Sequence, residues 1–388
     1  AIVLVVLAGL GGLLYMTERA RVAQAADDAG PIEARDENAR RADDVREWMR
    51  IEPIEVRLGS GLVPVLTGPS GDLSDRIGNL RKQMAMDLGF LLPKVQTAPR
   101  GELPPTHYEI CFHGNRVGQS ELLTDRLMAI NPGGSRPRLE GPETRDPAYS
   151  LPAQWIAKEA RAFARGAGYT IVDPDTVLMT HLSELVKRHA SELLTRADTE
   201  RLLQRVREQH ASLVEELVPA IMSYSDVQKV LQILLREQVS IRHLEAILEV
   251  LIESGKTVKV HEDLAERVRE RLGATICQGL RDTRGDLHVL TLAPEVERNV
   301  LANARGGEHR GMLFGEVGQL DGFMKNLAKQ AESMMARNLV PVLLCPSPVR
   351  RPMRALLHRS MPFVSVLGLN EVPATMPVRS FAAIQAAA

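Results

Sequence analysis

Apolar residues recur at three- and four-residue spacing through some stretches of the chain and in short β-rich runs through others, and this contrast divides it. Ile77, Leu80, Met84 and Leu88 mark a helix, with Ser74 placed to cap its start and Gly89 to close its end. Before it, IEVRLGSGLVPVL (54–66) predicts two short β runs around Gly59 and Gly61. YEICFH (108–113) predicts a strand, 154–165 a helix ending near Gly166, and 169–172 another strand. From Asp175 to about Ser254 the pattern becomes near-continuous helix. Val177, His181, Leu182, Leu185 and Val186 share one side there, Asp175 can cap that helix, and Asp198, Asp226 and Ser240 are starts for three more. Breaks at Thr195, 218–225 and Gln238 predict antiparallel helices in a small bundle. The final section alternates again: LHVLTL (287–292), a helix over 320–337, LVPVLLC (339–345), a helix over 350–359 and FVSVL (363–367). That order predicts a second small α/β unit with right-handed crossovers.

The N-terminus has a different pattern. AIVLVVLAGLGGLLYM (1–16) is uncharged and almost wholly apolar, short of the roughly 20 residues a full membrane span needs. It is expected to be the trailing part of a transmembrane helix, residues 1–17. Arg19 and Arg21 follow it, which puts the rest on the cytoplasmic side. Residues 18–50, dense in Ala, Arg, Asp and Glu, read as a linker.

Across 388 residues, 48 Lys and Arg face 49 Asp and Glu, so the net charge of -1 gives no field that argues for nucleic acid or an acidic substrate, and no nucleic-acid partner is expected. Cys111, Cys277 and Cys345 lie too far apart for a zinc motif or a disulfide framework and are expected to be buried free thiols. No metal or cofactor is indicated. Gly255-Lys256-Thr257 lacks the earlier glycine of a phosphate loop, since Val250 stands there, and follows a helix. His261-Glu262 lacks a second histidine, and His243-Leu244-Glu245 lacks the cysteines of a deaminase. His181 and His189 are expected to be partly exposed structural residues. Arg350, Arg351 and Arg354 read as a local basic patch without aromatic partners. Cys345 ends a predicted central strand, where α/β folds place nucleophiles, but Pro346 follows it at once. A membrane-anchored enzyme using Cys345 or the glycines of 305–318 is the alternative reading; the leading one is non-enzymatic.

The stretch INPGGSRPRLEGPETRDPAYSLP (130–152) breaks the helical pattern with five prolines and three glycines. AINPGG, DPAYSLPAQWI and AGYTIVDPDTVLMTHLSELV together resemble the large export-gate subunit of type III secretion systems, the family shared by flagella and virulence injectisomes. LRKQMAMDLGFLLPKV (80–95) and VLQILLREQVSIRHLEAILEVL (230–251) extend the resemblance from about Ile51 to Leu367. It implies an α+β multidomain chain: subdomain 1 (α/β, split, 51–113 and 164–182), inserted subdomain 2 (114–163), helical subdomain 3 (183–260) and subdomain 4 (α/β, 261–388). It also implies a nine-membered ring beneath the inner-membrane pore. Implied partners are secretion chaperone–substrate complexes, a gatekeeper protein, the export ATPase stalk protein and other inner-membrane export subunits. Chaperone docking is implied at Ile130, Pro132, Asp146, Tyr149 and Thr180, with Tyr149 where the flagellar pattern has Phe. Similarity in the last third favours the virulence form.

Overall fold

The computed structural model describes residues 51–67, 73–133, 136–305 and 317–386. The chain divides into Ala1–Glu52 and Pro53–Ala388, and apart from Ile51 and Glu52 the described residues belong to the second unit. The apolar run at 1–17 and the linker at 18–50 lie outside them. Among the described residues no helix is long and apolar enough to cross a membrane. The fold is α+β, with three four-stranded sheets and a helical section.

The first sheet has the order β2-β1-β3-β4, from β1 (Ile54–Leu58), β2 (Val95–Pro99), β3 (His107–Phe112) and β4 (Asn115–Glu121). Strand β1 runs parallel to β2 and antiparallel to β3. The second expected β run, at 63–66, is instead a short helix α1 (Val63–Leu66) with Pro64 in its first turn. Proline fixes the helical φ and costs no hydrogen bond there. The turn before it is held to the sheet, where the Gly59 amide donates to the His107 carbonyl at 2.8 Å. A Cβ on Gly59 would come 2.1 Å from the Pro104 carbonyl oxygen, so only glycine fits. Helix α2 (Leu73–Leu88) follows, and Gly89 at φ +94 ends it.

The second sheet, β6-β7-β5-β8, is antiparallel throughout: β5 (Leu127–Ile130), β6 (Glu143–Arg145), β7 (Pro152–Ile156) and β8 (Thr170–Val172). The helix expected over 154–165 is therefore a strand at its start, and only α3 (Arg161–Gly166) is α-helical. Ala153 to Ile156 are buried on both faces between β5 and β6, and burial overrides the helix propensity of the run.

The helical section comprises α4 (Pro174–Arg188), α5 (Ala190–Leu193), α6 (Arg196–Gln209), α7 (Ala211–Leu217), α8 (Tyr224–Arg236), α9 (Leu244–Gly255), α10 (His261–Arg271) and α11 (Gly273–Gln278). The caps of α6 and α8 are Thr195 and Ser223, and Asp198 and Asp226 are their reciprocal partners three residues on. Helix α4 starts after Asp173, with Pro174 in its first turn, and α9 starts after His243 rather than near Ser240.

The third sheet is parallel with the order β11-β10-β9-β12. It is built from β9 (Leu287–Leu292), α12 (Pro294–Arg305), α13 (Val317–Met335), β10 (Val342–Cys345), α14 (Ser347–Ser360), β11 (Ser365–Gly368) and β12 (Val378–Ile384). One apolar core runs continuously under the first sheet, α4 and the bundle, and another lies between the third sheet and α12 to α14. A buried ionic network joins the bundle to the last unit. Arg350 binds Glu266 (Nε to Oε2 2.6 Å) and Glu237 (Nη1 to Oε2 2.6 Å), and Arg269 binds Glu371 (Nε to Oε1 2.6 Å) and Glu237 (3.0 Å). The expected basic patch is thus dismantled: Arg350 is buried in this network, Arg351 pairs with Asp263, and Arg354 is half-buried.

Candidate functional site

The segment 130–152 forms one end of the second sheet. Ile130 pairs with Ala153, and Thr144 pairs with Ala153 from the other side, so the two flanks stand about 10 Å apart at strand spacing. Ile130, like Met128, packs its half-buried side chain against the main core. Pro132 is exposed just beyond the strand. The Asn131 side chain fixes this loop, accepting from the Gly133 amide at 2.9 Å and from Arg136 Nε at 3.0 Å. Arg136 in turn donates to the Ala167 carbonyl at 3.2 Å.

On the other flank the β6–β7 connection is a tight turn built by Asp146. Its Oδ2 accepts the Tyr149 amide at 2.8 Å, its backbone N–H donates to the Leu151 carbonyl at 2.9 Å, and its carbonyl accepts from Ser150 at 2.8 Å. Asp146 is only 3% exposed. Burial raises its carboxyl above the usual range, opposed by the amides of Tyr149 and Ala148. It therefore shapes the turn rather than offering a carboxylate to a ligand.

Tyr149 is the residue the turn presents, 58% exposed. Partial burial and the Glu184 carboxylate, to which its hydroxyl donates, push the phenol up to about 12. Glu184 lies on α4, one turn after Thr180, so Thr180 and Glu184 share a face beside the Tyr149 ring. Helix α4 also packs against β4 and β5. Tyr149 and the face of α4 that carries Thr180 and Glu184 thus form a ledge, with Asp146 inside the turn; Ile130 ends β5, which packs against the same helix, and Pro132 is exposed beyond it. A shallow depression of about 540 Å³, lined by Asn131, Arg136, Thr144 and Tyr169, opens on the sheet without Tyr149 or Thr180 in its wall.

Below the ledge lies a buried polar pair that the sequence did not disclose. The Tyr108 hydroxyl is 2.7 Å from His181 Nδ1, and His181 is 5% exposed rather than partly exposed as expected. Burial, then Arg188, pulls its pKa to about 4. His189 is half-buried and bonds Glu192 at 3.1 Å.

The remaining chemical candidates have structural partners. Cys345 is buried, its thiol 3.6 Å from the Leu367 carbonyl, and burial pushes it up to about 12. Cys111 and Cys277 are also buried and unpaired as thiols. Lys256 pairs with Glu216 at 3.3 Å and His261 with Asp226 at 3.0 Å. Asp282, Asp286 and His288 come together, but His288 bonds Asp282 at 3.0 Å and Asp286 pairs with Arg379.

The FHIPEP family pattern matches residues 1–377. The chain belongs to the FHIPEP family. FHIPEP membership is not that of an enzyme family, and the alternative built on Cys345 falls with it. One relative is the flagellar biosynthesis protein FlhA of Bacillus subtilis (strain 168), 35% identical over 374 residues, which are 96% of this chain and 55% of that protein. Another is FlhA of Escherichia coli (strain K12), 33% identical over 381 residues, 97% and 54% respectively. The chain spans about half the length of the curated relatives it matches. Its fold is similar to that of the Chlamydia pneumoniae CdsV protein (TM-score 0.73, 21% identity, covering 87% of this chain and 98% of that one). It is also similar to nonameric EPEC SctV-C (TM-score 0.68, 21% identity, covering 86% and 98%). Sequence identity is higher with these flagellar relatives than with these structures.

Proposed function

We propose that this chain is the cytoplasmic part of an export-gate subunit of a type III protein secretion system, held at the bacterial inner membrane. It assembles as a nine-membered ring, receives chaperone–substrate complexes and passes unfolded substrates to the membrane pore. The observation that carries the docking part is the Tyr149 ledge. A large aromatic ring stands more than half exposed on a turn whose geometry is fixed from within, its hydroxyl on Glu184 of α4 one turn from Thr180. A rigid exposed aromatic over a packed helix is what an interface anchor needs, since little side-chain freedom is lost on binding. Pro132 extends the ledge, and Asp146 contributes by holding the turn.

Four subdomains remain the division we favour, with the second sheet as the insertion and the bundle and last sheet as the third and fourth. The gatekeeper protein, the export ATPase stalk protein and other inner-membrane export subunits are the further partners. Nonameric assembly in the structurally similar EPEC SctV-C and the complex of Chlamydia pneumoniae CdsV with CdsO support a ring with a partner protein. The identities favour the flagellar branch. Native mass spectrometry and electron microscopy of the purified chain test the assembly. Closed nine-fold rings are expected, and a chain that stays monomeric at high concentration contradicts the ring.

A further inference from the structure

The cleft between the bundle and the last sheet holds a cation, Arg354, that no carboxylate among the described residues pairs with directly, although Glu237 lines the same space. It has a volume of about 280 Å³; its apolar lining is Leu272, Ile276 and Leu280 with Val366 and Leu367, and Glu237 and Arg269 of the buried network also border it. Arg354, from α14, lines the same space. The neighbouring Arg269 and Arg350 are each held by two glutamates. Arg354 instead donates to the Val364 carbonyl at 3.0 Å, and no carboxylate among the described residues forms an ion pair with it. Burial pulls its pKa below the ordinary value, with Glu237 opposing and Arg269 and Arg350 reinforcing the shift.

Further positive charge acts near Arg354, with Glu237 opposing it. His358 lies one turn further along α14, and its pKa is lowered by burial and by the charges of Arg354, Arg236 and Arg359. None of Arg236, His358 and Arg359 forms an ion pair with a described carboxylate. A half-desolvated guanidinium that carries spare N–H donors beside an apolar wall favours a carboxylate next to an aliphatic group.

We propose that this cleft docks an extended segment of a partner protein in which one Asp or Glu is flanked by aliphatic residues. The carboxylate sits on Arg354 and an aliphatic neighbour fills the space between Leu272, Ile276 and Val366. The volume lies just under the usual range of about 300–1,000 Å³ for ligand pockets, which suits one or two side chains rather than a folded surface. This site is independent of the Tyr149 ledge and of what binds there.

The probe is a blocked, fluorescein-labelled peptide, Gly-Leu-Glu-Leu-Ile-Gly, titrated into the purified chain by anisotropy at low and high salt. A matching peptide with Gln for Glu is the control. The Glu peptide is expected to bind at least tenfold more tightly than the Gln peptide and to weaken with salt. The methyl resonances of Ile276, Leu280 and Val366 should shift on binding. Arg354→Gln should erase the tenfold preference and Arg354→Lys keep part of it. Leu280→Glu, which places a carboxylate at the mouth of the cleft, should abolish binding in a chain whose melting curve is unchanged. Equal affinity for both peptides, or full affinity after Arg354→Gln, overturns the proposal. Acetate displacing the peptide at equal concentration, or shifting the same methyls alone, also overturns it, since the site would then be one for free carboxylates.

Discussion

The Tyr108 hydroxyl and His181 Nδ1 meet at 2.7 Å, and that contact links the first sheet to α4 directly beneath the Tyr149 turn. The rings stand edge to face, with centroids 5.8 Å apart. In the Nε2–H tautomer the neutral imidazole accepts from the Tyr108 hydroxyl, and protonating the ring would place a positive charge inside the core. With a folded pKa of about 4 against an ordinary 6.5, the unfolded chain binds the proton more readily. The contribution is therefore fully present above pH 6.5 and is lost as pH falls toward 4. Urea unfolding at pH 7 and pH 4.5 is expected to differ more in the wild type than in His181→Gln, by on the order of 2–3 kcal/mol. Equal pH dependence in both would remove His181 from the account.

Close approach of β4 to α4 makes Gly118 intolerant of a side chain. A Cβ there would stand 2.6 Å from Leu185 Cδ1 and 2.8 Å from the His181 ring. Gly118→Ala is expected to destabilise by about 1–3 kcal/mol, seen as a lower urea midpoint with unchanged slope.

Arg350 ties the bundle to the last unit from a position that is 1% exposed. Removing its charge leaves Glu237 and Glu266 facing each other without their principal cation. Arg350→Met should cost about 3–5 kcal/mol in unfolding experiments, and adding Glu266→Gln should recover part of that loss. A single variant as stable as wild type would show that the network contributes little.

Cys345 bears on the enzymatic alternative through its reactivity. A buried thiol pushed up to about 12 is hardly ionised at pH 8. Iodoacetamide is expected to leave Cys345 unmodified in the folded chain and to alkylate it in urea, as read by peptide mass. Rapid native labelling would contradict the buried placement.

Local features were legible in the sequence and distant ones were not. The bundle and the strands at 287–292 and 342–345 follow from periodicity alone, because their faces are set by nearby residues. Asp198 and Asp226 marked helix starts three residues late, since in a capping box both members have cap chemistry. At 152–156 helix-forming composition lost to burial on both faces, a property of the neighbouring strands. Arg350 read as surface charge because its partners lie 84 and 113 residues away. Tyr149 was legible through its motif, but the inward role of Asp146 was not, because an Asp-Pro turn has the same letters whether its carboxylate faces water or its own backbone.

The docking ledge is the central claim, and a titration of a purified chaperone–substrate complex against the chain tests it most directly. Tyr149→Ala removes the exposed ring while Asp146 still holds the turn, so folding should be preserved. Binding is expected to weaken by about 2 kcal/mol, roughly thirtyfold in Kd, with Tyr149→Phe close to wild type. An unchanged Kd for Tyr149→Ala would contradict docking at this face.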